Sequence, residues 1–379
     1  MANLFDYIHW RGDLDFDLSP FNPVDNLVFS QLSYLIMDGI VPEPAQERST
    51  LLSEGSVNLA SLAEYTAKLN ANRPASKDIT VVNATSVINA VRTAHRYKTC
   101  ELFGYVNHTE KLQEIQFSAF CAIIGKNPAS KKLLVVFRGT DTSIAGWKED
   151  LNMSFTNSIP SQKEAVSYLE KMAACCPYPI IVAGHSKGGN LAIYASAFCG
   201  EAIQSRIVDI YCNDAPGFHR EVIQSSGYQA ICAKIRAFVP QSSFVGMLFE
   251  HGVSPMVVKS TATGIFQHDI SSWEVTHDNL VNAGELTPQV RFVNKVIREW
   301  MEQIDEEKRE KAVDGLYKVL EATNANSLVE IVSDWRKAAG IISGIKNVDG
   351  QTKKLMAEML GELFKTAGKT ILRQRTKKT

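Results

Sequence analysis

The sequence predicts an α/β fold: a mostly parallel sheet flanked by helices, with helical additions at both ends of the chain. Three observations predict it. Short apolar runs rich in β-branched residues recur between about residues 101 and 284, the pattern of strands buried on both faces. Helical segments separate them, and strands alternating with helices build a parallel sheet covered on both sides. One run, Ile180-Ile181-Val182-Ala183, leads into Gly184-His185-Ser186-Lys187-Gly188-Gly189 and then into Asn190-Leu191-Ala192-Ile193-Tyr194-Ala195-Ser196. That is the strand–turn–helix context in which a G-x-S-x-G turn lifts a serine hydroxyl above a sheet edge. Ser186 is expected in a strained conformation, and a Cβ at 184 or 188 would collide with the neighbouring strand and helix.

The chain divides into a helical region at 1–100 packed on the core, a core at 101–284 and a helical region at 285–379. In the first region Asp25 is placed to cap a helix whose apolar residues Leu27, Val28, Leu32, Leu35 and Ile36 follow helical spacing. Val57, Leu59, Leu62 and Tyr65 suggest a second helix, and residues 88–94 a third. Asp13-Leu14-Asp15-Phe16-Asp17 alternates like an exposed edge strand. It lacks the glycine and distal glutamate of a calcium loop, so the carboxylates read as solvated.

Within the core, residues 117–124, 133–137, 180–183, 207–211 and 235–239 read as strands, with short late strands at 257–258 and 265–266. Residues 161–176 alternate helically. The apolar stretch 244–266 (Met247, Leu248, Phe249, Met256, Val257, Val258) reads as a buried helix and strand rather than as a lid or acyl-binding wall. Beyond 285, Val290, Phe292, Val293, Val296, Ile297 and Trp300 form an amphipathic stripe. Residues 306–311 read as a solvated face, 327–340 and 352–372 as further helices, and the basic end 373–379 as a frayed terminus.

Composition narrows the function. Forty basic against forty-one acidic residues leave a formal charge of −1 over 379 residues, so no global field recruits nucleic acid. The start Met1-Ala2-Asn3-Leu4-Phe5-Asp6-Tyr7 has neither a basic nor an apolar leader segment, and no apolar run approaches the roughly 20 residues of a membrane span. A cytoplasmic protein without a transmembrane segment is expected, with peripheral membrane contact left open. The seven cysteines are odd in number and none has the spacing of a zinc site or redox pair. They read as free thiols, adjacent Cys175-Cys176 included, and no metal or organic cofactor is implied.

A serine hydroxyl needs a neighbouring base, usually histidine. With the order Ser, then Asp or Glu, then His, the candidates are His219, His251, His268 and His277. His268 is the choice, since it follows the last short apolar run and Trp273 can pack its loop down; His251 is second. For the acid, Asp214 ends the strand after the elbow, beside the turn residues Pro216 and Gly217 at the carboxyl edge where ligands bind in open α/β sheets. Asp209 lies inside the apolar run, and Asp269 is adjacent to the base. An oxyanion hole needs two preset donors. The elbow supplies the Lys187 N–H, and Thr140 in the loop 137–142 is the second candidate, though on spacing alone that loop reads equally well as an ordinary strand-end turn.

Val136-Phe137-Arg138-Gly139-Thr140 with Trp147 and Asp150-Leu151, together with the elbow, resembles the corresponding segments of class 3 (fungal-type) lipases over about residues 100–275. The whole chain, including Asp6-Tyr7-Ile8-x-Trp10-Arg11-Gly12-Asp13 and Asn213-Asp214-x-Pro216-Gly217-Phe218, more closely resembles a bacterial family of lipase-like α/β hydrolases. The resemblance implies an α/β-hydrolase-like fold, Ser186 as nucleophile, Thr140 and Lys187 as oxyanion donors and His268 as base. It also implies cleavage of carboxylic esters, with small-molecule, lipid or lysolipid acyl esters as substrates. One departure stands out. Class 3 lipases carry the acid after the next strand, where this chain has Ser242-Ser243-Phe244-Val245. The acid has either moved to Asp214 or been lost, and its loss would leave a catalytically silent hydrolase fold that acts by binding.

Overall fold

The structure, a computed structural model, describes residues 1–44, 55–71, 78–110, 115–140, 153, 158–243, 245–288, 290–291, 295, 350 and 354. The chain separates into two compact units. The first comprises Met1–Thr109, Gln116–Gly139 and Pro160–Leu286; the second comprises Glu110–Ile115, Thr140–Ile159 and Thr287–Thr379. Trp147, Asp150, Leu151 and nearly all of the C-terminal stripe, helices and tail lie outside the described residues. At Thr287 an Arg291 N–H donates to its carbonyl at 3.0 Å, the bond of a helical turn.

Eight strands form one sheet in chain order: β1 (Val57–Asn58), β2 (Glu101–Glu110), β3 (Ile115–Ile124), β4 (Lys132–Phe137), β5 (Ile180–His185), β6 (Ile207–Asn213), β7 (Ile235–Pro240) and β8 (Met256–Val258). From β4 to β8 every neighbouring pair is parallel. The pairs β1–β2 and β3–β4 are antiparallel. β3 and β4 form a hairpin because Gly125, Asn127 and Pro128 turn the chain within a few residues, and so short a link cannot make a parallel crossover. Most positions of β4 to β7 are buried, β5 at all six, as the apolar runs predict.

Alternation along the strands divides their side chains between two faces. Leu134, Val136, Ile181, Ala183, Tyr211 and Phe238 share one apolar cluster with the helices α1 (Leu4–Arg11), α2 (Pro23–Leu32), α3 (Leu59–Ala71) and α4 (Ile79–Val91). α5 (Pro160–Cys175) and α6 (Lys187–Phe198) also pack on β4 and, for α6, on β5 and β6. Each fully buried aliphatic side chain here contributes about 1.5–3 kcal/mol. The N-terminal helices therefore belong to the same compact unit as the sheet.

Several local expectations change. The cap of α2 is Asn22, whose side chain accepts from Val24 and Asp25 N–H; Asp25 completes the capping box from the third helical position. Asp25 has a stronger partner in Arg96, with both side chains fully buried. The helix expected at 88–94 is α4, which starts earlier and ends at Val91. The Asp13–Asp17 segment is a turn, not a strand. Asp17 accepts from the N–H groups of Lys126 and Asn127 and from Ser130 Oγ, and Asp15 from Lys126 Nζ at 2.8 Å, so these carboxylates secure the β3–β4 turn. Residues 265–266 belong to the 3-10 helix Gly264–His268, not to a strand. In the stretch 244–266 only Val258 is fully buried among the apolar residues named above. Met247, Leu248, Phe249, Met256 and Val257 are half-buried: Met247 ends a single 3-10 turn, Leu248 and Phe249 follow it in a bend, and Met256 and Val257 lie on the edge strand β8.

All seven cysteines are free. Burial pushes the Cys212 thiol up to about 12 and Cys199 likewise, which keeps both protonated and unreactive.

Candidate active site

The parallel strands all end at one edge, and their ends carry the residues singled out by sequence. β5 ends at His185, and Ser186 follows with φ 57° and ψ −133°. A non-glycine residue there costs on the order of 1–3 kcal/mol and persists only if its surroundings impose it. They do. The Ser186 N–H donates to the Asn213 carbonyl at 2.9 Å, which ties the turn to the end of β6. The Asn213 side-chain amide donates to the Gly184 carbonyl at 3.0 Å and exchanges hydrogen bonds with Asn26 of α2 at 2.8 and 3.0 Å.

The two elbow glycines are required by contact. A Cβ on Gly184 would overlap the main chain of Gly188, and one on Gly188 would overlap the Phe137 carbonyl at the end of β4. Gly188→Ala therefore sets a helix-propensity gain of about 1 kcal/mol against overpacking of a buried β4–α6 contact. With backbone on both sides of the clash, the net loss is expected to be roughly 1–3 kcal/mol, read as a lowered thermal midpoint.

His268 closes the 3-10 helix at 264–268. The loop is held by Trp273, wholly buried, whose Nε1 donates to the Gln267 carbonyl at 2.8 Å, and by the Ser242 N–H on Gln267 Oε1 at 2.7 Å. His268 Nδ1 lies 2.7 Å from Asp214 Oδ2. Asp214 itself is buried, with φ 45°, and its N–H donates to Phe238 O at 2.8 Å. Its other oxygen accepts from Ser243 Oγ at 2.5 Å and from the Gly246 N–H at 3.2 Å. The imidazole is 32% exposed against 1% for the carboxylate, so the pair presents its histidine end to solvent. Among the described residues neither the Ser186 hydroxyl nor His268 Nε2 forms a hydrogen bond. The His268 ring instead lies 4.5 Å from the ring of His185, the residue before the serine.

Gly139, at the end of β4, sits against Ser186: a Cβ there would come within 3.0 Å of the serine Cβ. Thr140 follows it in sequence and belongs to the second unit. Lys187 opens α6, where backbone N–H groups have no acceptor within the helix. Its side chain is buried and Nζ donates to the Gln116 carbonyl at 3.0 Å.

The rival residues have other partners. Asp209 bonds Arg236 at 2.5 Å. Asp269 caps the 3-10 turn at 270–272 and accepts from Asn83 at 2.9 Å. His251 lies against Gly217 with Nε2 buried and unpaired among the described residues. His219 stacks near Phe249, and His277 lies in an exposed turn at φ 53°.

Sequence reasoning did not reach the polar residues behind the elbow. Tyr34 Oη bonds His185 Nδ1 at 2.9 Å, and Gln162 donates to Asn190 at 2.7 Å. Asn190 in turn donates to the carbonyls of Pro216 and Gly217 at 3.1 and 2.9 Å, behind the acid. A signal existed. Asn26, Ser30 and Gln31 interrupt the apolar residues of α2, and polar groups on a helix buried on every side require partners.

The Mbeg1-like family profile matches residues 91–318, more than half of the chain. The chain belongs to the Mbeg1-like family. None of the curated proteins matches it. Among solved structures this Mbeg1-like chain is similar to a Rhizomucor miehei lipase propeptide complex, with 15% identity, coverage of 59% of this chain and 79% of that one, and a TM-score of 0.33. It is also similar to the extracellular lipase LipA from Serratia marcescens, with 12% identity, coverage of 57% of this chain and 38% of that one, and a TM-score of 0.32. Among its described residues no helix is long and apolar enough to cross a membrane, and no group of His, Cys, Asp and Glu could hold a metal.

Proposed function

We propose that this Mbeg1-like chain is a serine hydrolase of the α/β-hydrolase type that cleaves carboxylic esters, lipid or lysolipid acyl esters among them, through an acyl-enzyme. The observation that carries the reading is the buried Asp214 carboxylate on Nδ1 of a solvent-facing His268, whose ring lies beside His185, the residue before a serine held at positive φ.

Asp214 accepting from Nδ1–H leaves the Nε2 lone pair to take the Ser186 proton. The serine oxygen attacks the ester carbonyl, and the negative charge develops on the former carbonyl oxygen. The Lys187 N–H at the head of α6 would meet it, with Thr140 as the second donor. Collapse of the tetrahedral intermediate expels the alcohol, protonated by His268, and water repeats the sequence to release the acid. A Ser186–His268 hydrogen bond forms as substrate orders the site, since such bonds are often long or misaligned without it. Seven free thiols, five of them buried, support a cytoplasmic location.

The competing reading is a silent hydrolase fold that acts by binding. It draws on the position after β7, where the chain has Ser242-Ser243 and no carboxylate; the contact of Asp214 with His268 supports the enzyme reading instead. A fluorophosphonate probe tests the choice. Labelling of the folded wild type that disappears in Ser186→Ala is expected; an unlabelled wild type would overturn the enzyme reading. A series of p-nitrophenyl esters of increasing chain length then ranks acyl preference.

A further inference from the structure

Elbow geometry needs no particular residue between Gly184 and Ser186, yet a buried histidine stands there, 4% exposed. Position 185 has the same parity on β5 as Ile181 and Ala183, whose side chains join the N-terminal helices, so its side chain turns towards α2. There it meets Tyr34, 3% exposed and two residues past the end of α2. At its other nitrogen, His185 Nε2 is 2.8 Å from the backbone carbonyl of His268.

We propose that Tyr34 and His185 are positioning residues, a neutral pair that sets the general base by holding its main chain; this rests on the serine-hydrolase reading above. Donor bookkeeping assigns the protons. A carbonyl only accepts, so His185 carries its proton on Nε2. Nδ1 then holds a lone pair, and the Tyr34 hydroxyl donates to it at 2.9 Å. Burial, then repulsion from His268, holds the His185 pKa well below its usual value, so the ring stays neutral and keeps this single tautomer.

The pair completes a two-point hold. Asp214 holds the His268 ring at Nδ1, and His185 holds the carbonyl of the same residue, one peptide beyond the carbonyl that Trp273 holds. With both fixed, the imidazole has little freedom to swing from the serine, and small misplacements of a reacting group are costly in rate. If the Tyr34 hydroxyl is lost, Nδ1 keeps a buried lone pair with no donor, so the ring can tip out of line with the His268 carbonyl and the hold loosens.

The test uses the full chain with Tyr34→Phe, His185→Leu and His185→Gln. Glutamine is included because its terminal amide can reach the His268 carbonyl as a donor in place of Nε2. Tyr34→Phe and His185→Leu are expected to lower kcat on p-nitrophenyl butyrate about tenfold, with KM changed less than about twofold. His185→Gln is expected to regain most of the lost kcat. Imidazole ¹⁵N spectra should show the Nε2–H tautomer of His185 in the wild type and in Tyr34→Phe, with the Nδ1 resonance shifted in the variant because its donor is gone. Unchanged kcat in both Tyr34→Phe and His185→Leu overturns the proposal, as does loss of kcat in step with thermal midpoint across all three variants. An Nδ1–H tautomer in the wild type overturns it whether or not the protein turns over ester. An inactive wild type with the expected tautomer sinks the hydrolase reading while leaving the hydrogen-bond chain in place.

Discussion

Replacing Asp214 with asparagine is expected to lower kcat for ester hydrolysis on the order of 10⁴-fold while the protein stays folded. The substitution keeps nearly the same shape. An asparagine oxygen in the place of Oδ1 still accepts from Ser243 Oγ and the Gly246 N–H. The amide nitrogen then takes the place of Oδ2, 2.7 Å from His268 Nδ1. A donor there selects the tautomer with its proton on Nε2, which cannot accept the proton of Ser186. Acidity and tautomer are therefore lost together. Ser243→Ala is the control, because it removes one donor to Oδ1 and leaves Oδ2 on the imidazole; it is expected to cost far less. Steady-state rates on p-nitrophenyl butyrate measure both. Near-wild-type turnover in Asp214→Asn would show that another group, or none, orients the base.

The stretch after β7 carries Ser243, and that serine donates to a carboxylate one strand earlier. The carboxylate still lies at the same sheet edge. In the sequence this was only partly legible. Asp214 could be placed at the end of β6 because an apolar run followed by Pro216 and Gly217 ends a strand, and strand ends in a parallel sheet share one edge. Its contact with residue 268, 54 positions on, depends on how the 256–273 segment folds back, and nothing periodic marks that segment. There the reading went astray, taking 265–266 as a strand where the chain forms a 3-10 helix. The sheet itself was legible because strands buried on both faces leave long β-branched runs. The N-terminal region was legible as helices but not in its polar contacts: Asp25 looked like a cap, and its partner is 71 residues away. Long-range polar pairs leave no local pattern, except that polar residues on an all-buried helix must have partners somewhere.

That distant pair carries the largest stability effect expected in the molecule. Arg96 and Asp25 are both fully buried and joined by two bonds, Nε to Oδ1 at 2.8 Å and Nη2 to Oδ2 at 2.6 Å. The remaining N–H groups of the guanidinium donate to the carbonyls of Leu14, Ser19 and Pro20, so all five are used. Its flat face lies 4.1 Å from the centre of the Phe16 ring. Tyr7 and Tyr97 hydroxyls complete the carboxylate at 3.1 and 3.0 Å. Burial, and then the Asp25 charge, raise both phenol pKa values, which keeps them protonated as donors. Arg96→Leu would strand a buried carboxylate and release the partly buried carbonyls of Leu14, Ser19 and Pro20. The expected loss is about 3–5 kcal/mol, against a total stability of about 5–15 kcal/mol for a typical domain, read as a fall in the urea midpoint. The double variant Asp25→Leu with Arg96→Leu is expected to recover part of that loss, because no charge is left unpaired; a double variant no more stable than Arg96→Leu alone would show that the carbonyls, not the carboxylate, set the cost. The consequence reaches the site. Asp25 lies in α2, Tyr34 follows α2, and Tyr34 holds the histidine that holds the base. Arg96→Leu should therefore lose fluorophosphonate labelling at a lower urea concentration than the wild type, in step with its lowered unfolding midpoint.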